Sequence, residues 1–219
     1  MKSIRIFPSL MAADPLHLGD VIENLREHCD GFHIDVMDDH FVPNISMGPM
    51  TVNKMAEVTK KPLFVQLMVD NPDQWIERLK LKDEAILAVH IESTKALRAL
   101  LQKISGHGWK PYLAVSPKTN IETVYPWLDM VAGILIMAVT PGFAGQDFIP
   151  SITAKARELI SYKKQHKLPI SIAIDGGIDL SNINQLANMG IDTFCIGSGI
   201  FDHDDHVKAL QDLYTAIKK

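Results

Sequence analysis

The stretch Pro169-Ile170-Ser171-Ile172-Ala173-Ile174-Asp175-Gly176-Gly177-Ile178 decides how the chain is read. Its apolar run is rich in β-branched residues and short, the pattern of a strand buried on both faces in a parallel sheet. The run ends in one carboxylate followed by two glycines. A charge there is poor core material. Two readings stay open. In one, Asp175 caps a βα turn and glycine makes the bend. In the other, Asp175 stands at the mouth of a site, and the bare backbone of Gly176-Gly177 lets an anionic ligand approach.

Working outward, the same alternation recurs from end to end. Strands are expected at Ile4–Leu10, Gly31–Met37, Pro62–Val69, Ala85–Ile91, Lys110–Val115, Val131–Val139, Pro169–Asp175 and Asp192–Gly197. Helices are expected at Asp14–His28, Pro49–Val58, Pro72–Leu79, Ser93–Ser105, Ile121–Trp127, Pro150–Gln165, Leu180–Met189 and Asp204–Lys218, the first with Asp14 as N-cap and Pro15 at the first helical position. Eight β-α units in a row imply a parallel sheet closed into an α/β (β/α)8 TIM barrel, one domain over residues 1–219. An open doubly wound sheet would carry a glycine fingerprint after its first strand; here that strand ends Pro8-Ser9-Leu10-Met11.

Composition excludes several classes. At 219 residues and 47% hydrophobic, the chain can bury a sizeable core. A net charge of −4 without a basic run argues against nucleic acid as a partner. No apolar run reaches the ~18 residues of a membrane span, and Met1-Lys2-Ser3-Ile4 lacks a signal-peptide pattern. Two cysteines, Cys29 and Cys195, are far apart and in no motif, which fits a reducing compartment. A cytoplasmic protein is expected.

Barrel sites lie at the C-terminal ends of the strands. Those ends carry Ser9; His33, Asp35, Met37 and Asp38; Gln66 and Met68; His90 and Glu92; Ser116; Met137; Asp175; and Gly197-Ser198. His33 and Asp35, two apart on a strand, share a face. With Gln66 and Asp175 they form either a cation site for Zn2+, Fe2+, Mn2+ or Co2+, or a His–Asp hydrogen bond closing the barrel top. Gly142–Gly145, Gly176-Gly177 and Gly197-Ser198-Gly199 are candidates for gripping phosphate, the last two after strands seven and eight. The loop around Gly142 and Gly145 is either a plain connection or a lid. Met37, Met68 and Met137 either fill the barrel or roof a polar site.

The motifs together resemble the ribulose-phosphate 3-epimerase family, which includes allulose-6-phosphate 3-epimerase. They are Pro8-Ser9-Leu10-Met11, His33-Ile34-Asp35-Val36-Met37-Asp38, Phe41-Val42-Pro43-Asn44, Met137 to Phe143, Gly145-Gln146, Phe148-Ile149-Pro150, Asp175-Gly176-Gly177 and Gly197-Ser198, in order along the chain. The resemblance implies a ribulose-phosphate-binding barrel that inverts C3 of a ketose phosphate. D-ribulose 5-phosphate to D-xylulose 5-phosphate leads, and D-allulose 6-phosphate is the alternative. It implies Asp35 and Asp175 as the two acid/base residues. It implies one divalent ion (Zn2+, Fe2+, Mn2+, Co2+ or Mg2+) held by His33, Asp35, Gln66 and Asp175 and stabilising an enediolate. Ser9, the three methionines, Gly142, Gly145, Gly176, Gly177, Gly197 and Ser198 would bind substrate, in a homo-oligomer, dimer or hexamer. Two departures stand out: Gln66 occupies a position where the family has a histidine ligand, and Asp39 one where it has glycine. Weakened or lost metal binding is one consequence, and a sugar-phosphate binder without catalysis is then the competing class.

Overall fold

In the computed structural model, which describes residues 4–217, eight parallel strands alternate with helices. The strands are β1 Arg5–Pro8, β2 Phe32–Met37, β3 Leu63–Met68, β4 Ile86–His90, β5 Lys110–Val115, β6 Gly133–Met137, β7 Ser171–Asp175 and β8 Thr193–Ile196. The helices are α1 Leu18–Leu25, α2 Pro49–Val58, α3 Pro72–Ile76, α4 Leu97–Gly106, α5 Ile152–Gln165, α6 Ile183–Met189, α7 Ser198–Phe201 and α8 His206–Ile217. The expected barrel order is present, with ladders joining β1 to β8 and then every neighbour round to β2.

The remaining seam, β1 against β2, is only bridged, at Ser9 and His33. Hydrogen-bonding parity explains it. Arg5 and Ser9 donate toward β8, to Asp192 O and Ile196 O, so the even residues face β2. Pro8 has no N–H to give. The Ile6 N–H goes instead to the Asp30 carboxylate at 2.9 Å, which also accepts from the Tyr214 hydroxyl. Asp30 thus serves as the polar clasp of the barrel, a role sequence reading did not assign.

Period-two alternation fills the interior. Phe7, Phe64 and Tyr112 point inward with Ala88, Ala114 and Ala173 making room for them. Phe64 meets Phe7 and Tyr112 edge to face, centroids 5.6 and 5.1 Å apart. Outward-facing Ile34, Val36, Val65, Leu67 and their like pack under the helices. Each inward-facing series then runs up to the top layer. Two residues beyond Phe64 comes Gln66, two beyond Ala88 comes His90, and two beyond Ala173 comes Asp175. One alternation therefore builds both the core and the site.

Several expected boundaries shift. Asp14 does not cap α1: its carboxylate accepts the Leu16 N–H at 2.9 Å, a local turn that delays the helix to Leu18. Ile121–Trp127 is a 3-10 helix, with Pro126 inside it breaking an α-helical ladder. Another 3-10 turn, Ile91–Ser93, precedes α4. The short α7 directly after β8 had no counterpart among the expected helices. Of the expected last helix, Lys218 lies outside the described residues, as do Met1, Lys2 and Ser3. No helix among the described residues is long and apolar enough to cross a membrane.

Candidate active site and cation pocket

Parallel register brings Asp35 beside Gln66, and Asp175 beside Met137 and Cys195. Ring order places β2 and β7 three strands apart across the seam, so Asp35 and Asp175 approach the axis from different sides. His33, on the same inward face as Asp35, lies between them, completely buried. Its Nε2 is 3.3 Å from Asp35 Oδ1, 3.9 Å from Asp175 Oδ2 and 3.2 Å from Gln66 Oε1.

His33, Asp35 and Asp175 form a group that could hold one divalent cation, with Gln66 Oε1 beside it. Around an ion with bonds of ~2.0–2.2 Å, adjacent ligand atoms stand roughly 3–3.5 Å apart. His33, Asp35 and Asp175 each offer a ligand atom within 4.8 Å of the others. One imidazole with carboxylate and carboxamide oxygens is a mixed donor set, harder than one with two imidazoles. His33 Nδ1 makes no hydrogen bond, and the Cys195 thiol is its neighbour.

The two carboxylates are driven apart in acidity. Burial raises the Asp35 carboxyl, but the His33 imidazole and the Ser9 hydroxyl, donating at 2.8 Å, outweigh it and hold Asp35 below the usual range. Burial pushes Asp175 up; His33 opposes this and the Asp35 charge adds to it, so Asp175 stays well above the usual range. Burial pushes the Cys195 thiol up to about 11, so it is protonated near neutral pH and Asp35 is the charge acting on His33. Two carboxylates of unequal acidity therefore face the same pocket.

Above them opens a cleft lined by Ser9, Met37, Met68, Met137, Asp35 and Asp175. Gly142, Gly145, Gly176, Gly177, Gly197 and Ser198 line it as well. Ser9 sits one residue past β1. The methionines divide: Met37 and Met68 cluster with Val42 near the rim, whereas Met137 belongs to the barrel interior and accepts from Gln66 Nε2 at 3.1 Å. Gly176 and Gly177 are left-handed, φ +104° and +63°, and a Cβ on Gly177 would lie 2.6 Å from Phe148 Cα. The backbone there can turn only because no side chain is present. The loop over the cleft is braced from within by Gln146, whose Nε2 donates to Thr140 O and Phe143 O, and from outside by Asn44 on Gly142 O. Phe143 at its tip is exposed. Asp39 adopts φ +60°, the left-handed conformation that glycine takes without strain.

His90 and Glu92 were visible as strand-end residues but had no assigned part. His90 Nε2 accepts from Gln66 Nε2 at 2.8 Å, and its Nδ1 faces Glu92 Oε2 at 3.2 Å. Their two-residue spacing repeats that of His33 and Asp35, the one signal of the pair in the sequence.

Residues 5–201 match the model of the ribulose-phosphate 3-epimerase family. The ribulose-phosphate 3-epimerase of Escherichia coli strain K12 is 34% identical over 221 residues, covering 100% of this chain and 98% of that one. That of Methanocaldococcus jannaschii is 36% identical over 214 residues, 97% of this chain and 91% of its own. Among solved structures, KGPDC from Streptococcus mutans in complex with D-R5P superposes with a TM-score of 0.71 at 13% identity, covering 98% and 97% of the two chains. At that identity the likeness is one of fold.

Proposed function

Because the chain belongs to the ribulose-phosphate 3-epimerase family, we propose that it inverts C3 of a ketose phosphate, with D-ribulose 5-phosphate and D-xylulose 5-phosphate as the leading pair. The observation that supports this reading is the opposed pair Asp35 and Asp175, which reach the same buried His33 imidazole from different sides of the barrel, at 3.3 and 3.9 Å. Inversion needs a proton removed from one face of C3 and another delivered to the opposite face. Asp35 takes the proton in one direction and Asp175 delivers one; in reverse they exchange parts. Ser9 fixes the Asp35 rotamer by holding Oδ2, which leaves Oδ1 toward His33 and the reacting centre.

A C3 proton is far too weakly acidic for a carboxylate alone. A divalent cation held by His33, Asp35, Gln66 and Asp175 would, when bound, supply the positive charge that stabilises negative charge developing on the substrate oxygens. Met37 and Met68 at the rim keep water from the carbanion-like centre. Gly176-Gly177, Gly197 and Ser198, with Gly142 and Gly145 of the loop, offer backbone N–H groups to the phosphate. Gln66 in place of histidine favours a specialised relative as the second reading, with D-allulose 6-phosphate as substrate.

The test is solvent deuterium exchange at C3 of both sugar phosphates, with the bound metal measured. Asp35→Asn and Asp175→Asn should each abolish inversion. Each should retain exchange for at most one epimer, the one whose C3 proton faces the remaining carboxylate. Absence of exchange in either sugar, with and without added divalent metal, would refute the proposal.

A further inference from the structure

Gln66 is a carboxamide, so it can present either an oxygen or an NH2 group to the pocket, and only the oxygen can ligate a cation. We propose that Glu92 and His90 are positioning residues that hold the Gln66 carboxamide with its oxygen turned toward His33, Asp35 and Asp175. The inference rests on the cation-binding reading of that pocket.

The chain of donors and acceptors leaves one consistent assignment. Glu92 Oε1 accepts the Ser116 N–H at 2.9 Å and the Thr119 hydroxyl at 2.5 Å. Those two donors are themselves fixed: Lys155 Nζ reaches the carbonyls of Ser116, Pro117 and Thr119 at 2.9, 2.7 and 2.6 Å and pins the loop. Glu92 Oε2 faces His90 Nδ1 at 3.2 Å, nearer than the Ser116 hydroxyl at 3.5 Å, and a carboxylate can only accept, so the His90 proton sits on Nδ1. His90 Nε2 is then a lone pair. It accepts from Gln66 Nε2 at 2.8 Å, and Met137 Sδ takes the other N–H at 3.1 Å. Gln66 Oε1 is thereby directed at His33 Nε2, 3.2 Å away. Turning the carboxamide over would set its oxygen against the His90 lone pair and the Met137 sulfur. Phe41, with its ring centroid 4.9 Å from that of His90, keeps the imidazole from swinging out of this relay. His90 and Gln66 are completely buried, so water does not stand in for a lost partner.

Imidazole 15N NMR on the wild-type chain is the first measurement, with the His90 signals assigned by their loss in His90→Gln. Nδ1 protonated and Nε2 bare is expected; a proton on Nε2 overturns the proposal, and this needs no altered protein to fold. The second is Mn2+ affinity, read by calorimetry without substrate. Glu92→Met frees His90 to carry its proton on Nε2 and turn the carboxamide, so affinity should fall roughly 10- to 100-fold. In a Gln66→Glu background either oxygen can face the ion, and the same substitution should change affinity by less than about threefold. An equal fall in both backgrounds, the mark of a merely structural role, overturns the proposal, as does no fall in either. Neither readout uses turnover. A chain that binds Mn2+ in this way yet exchanges no C3 proton would sink the epimerase reading and leave this inference standing.

Discussion

Gly177→Ala perturbs the turn that carries the chain from Asp175 along the lining of the cleft. An alanine at φ +63° takes on the left-handed conformation, at about 1–2 kcal/mol. Its new methyl would lie against the Phe148 backbone nitrogen, 2.6 Å from Phe148 Cα, and backbone has no rotamer by which to move aside. Overpacking of this kind costs about 1–3 kcal/mol. The turn cannot relax freely either, since Asn182 Nδ2 holds the Gly177 carbonyl at 2.7 Å and the Ile149 N–H is bonded to Ala138 O at 2.9 Å. The expected loss is therefore about 2–5 kcal/mol, a fall of about 1–2 M in the urea midpoint for a chain of this size. Urea unfolding followed by far-UV circular dichroism measures it. Because Phe148 closes the loop that carries Gly142 and Gly145, the KM for a ketose phosphate should also rise. A variant within about 1 kcal/mol of wild type would show that the turn has slack and that the steric reasoning is wrong.

Two further outcomes follow from the polar framework. Asp30→Ala should leave the Ile6 N–H and the Tyr214 hydroxyl without their acceptor, at about 1–3 kcal/mol for each, whereas Asp30→Asn should cost less. Equal thermal stability of the two variants would deny Asp30 its part in the β1–β2 seam. Burial raises the Glu92 carboxyl, but the hydrogen bonds from His90, Thr119 and the Ser116 N–H bring it down to about 2 from an ordinary 4.5. A lowered carboxyl contributes stability that is present above pH 4.5 and lost as pH falls toward 2. That is on the order of 3 kcal/mol. The stability gap between wild type and Glu92→Gln should shrink across that window; a gap that stays constant with pH would contradict it.

What could be read along the chain was local and periodic. Inward and outward alternation located the strands, and the end of each strand named Ser9, His33, Asp35, Gln66 and Asp175 before any contact was known. His33 and Asp35 were legible as a pair because two residues on a strand always share a face. Asp14 misled because an acidic residue before proline signals a turn and a helix cap equally well, and only the bonded Leu16 N–H separates them. Asp30 was invisible in its role because its partners, Ile6 and Tyr214, are 24 and 184 residues away.

The sequence by itself determined eight β-α units, their inward-facing residues and the family motifs at the strand ends. Tertiary structure alone decided which of those residues meet. Closure brought β2 and β7 to within reach of one imidazole, where His33 and Ser9 lower Asp35 against its burial while burial and the Asp35 charge raise Asp175. It also decided which end of the Gln66 carboxamide faces the pocket, through a proton on His90 placed by Glu92. Periodicity is a property of neighbouring residues, whereas electrostatics and hydrogen-bond direction depend on distances across the barrel that exist only once the ring has closed.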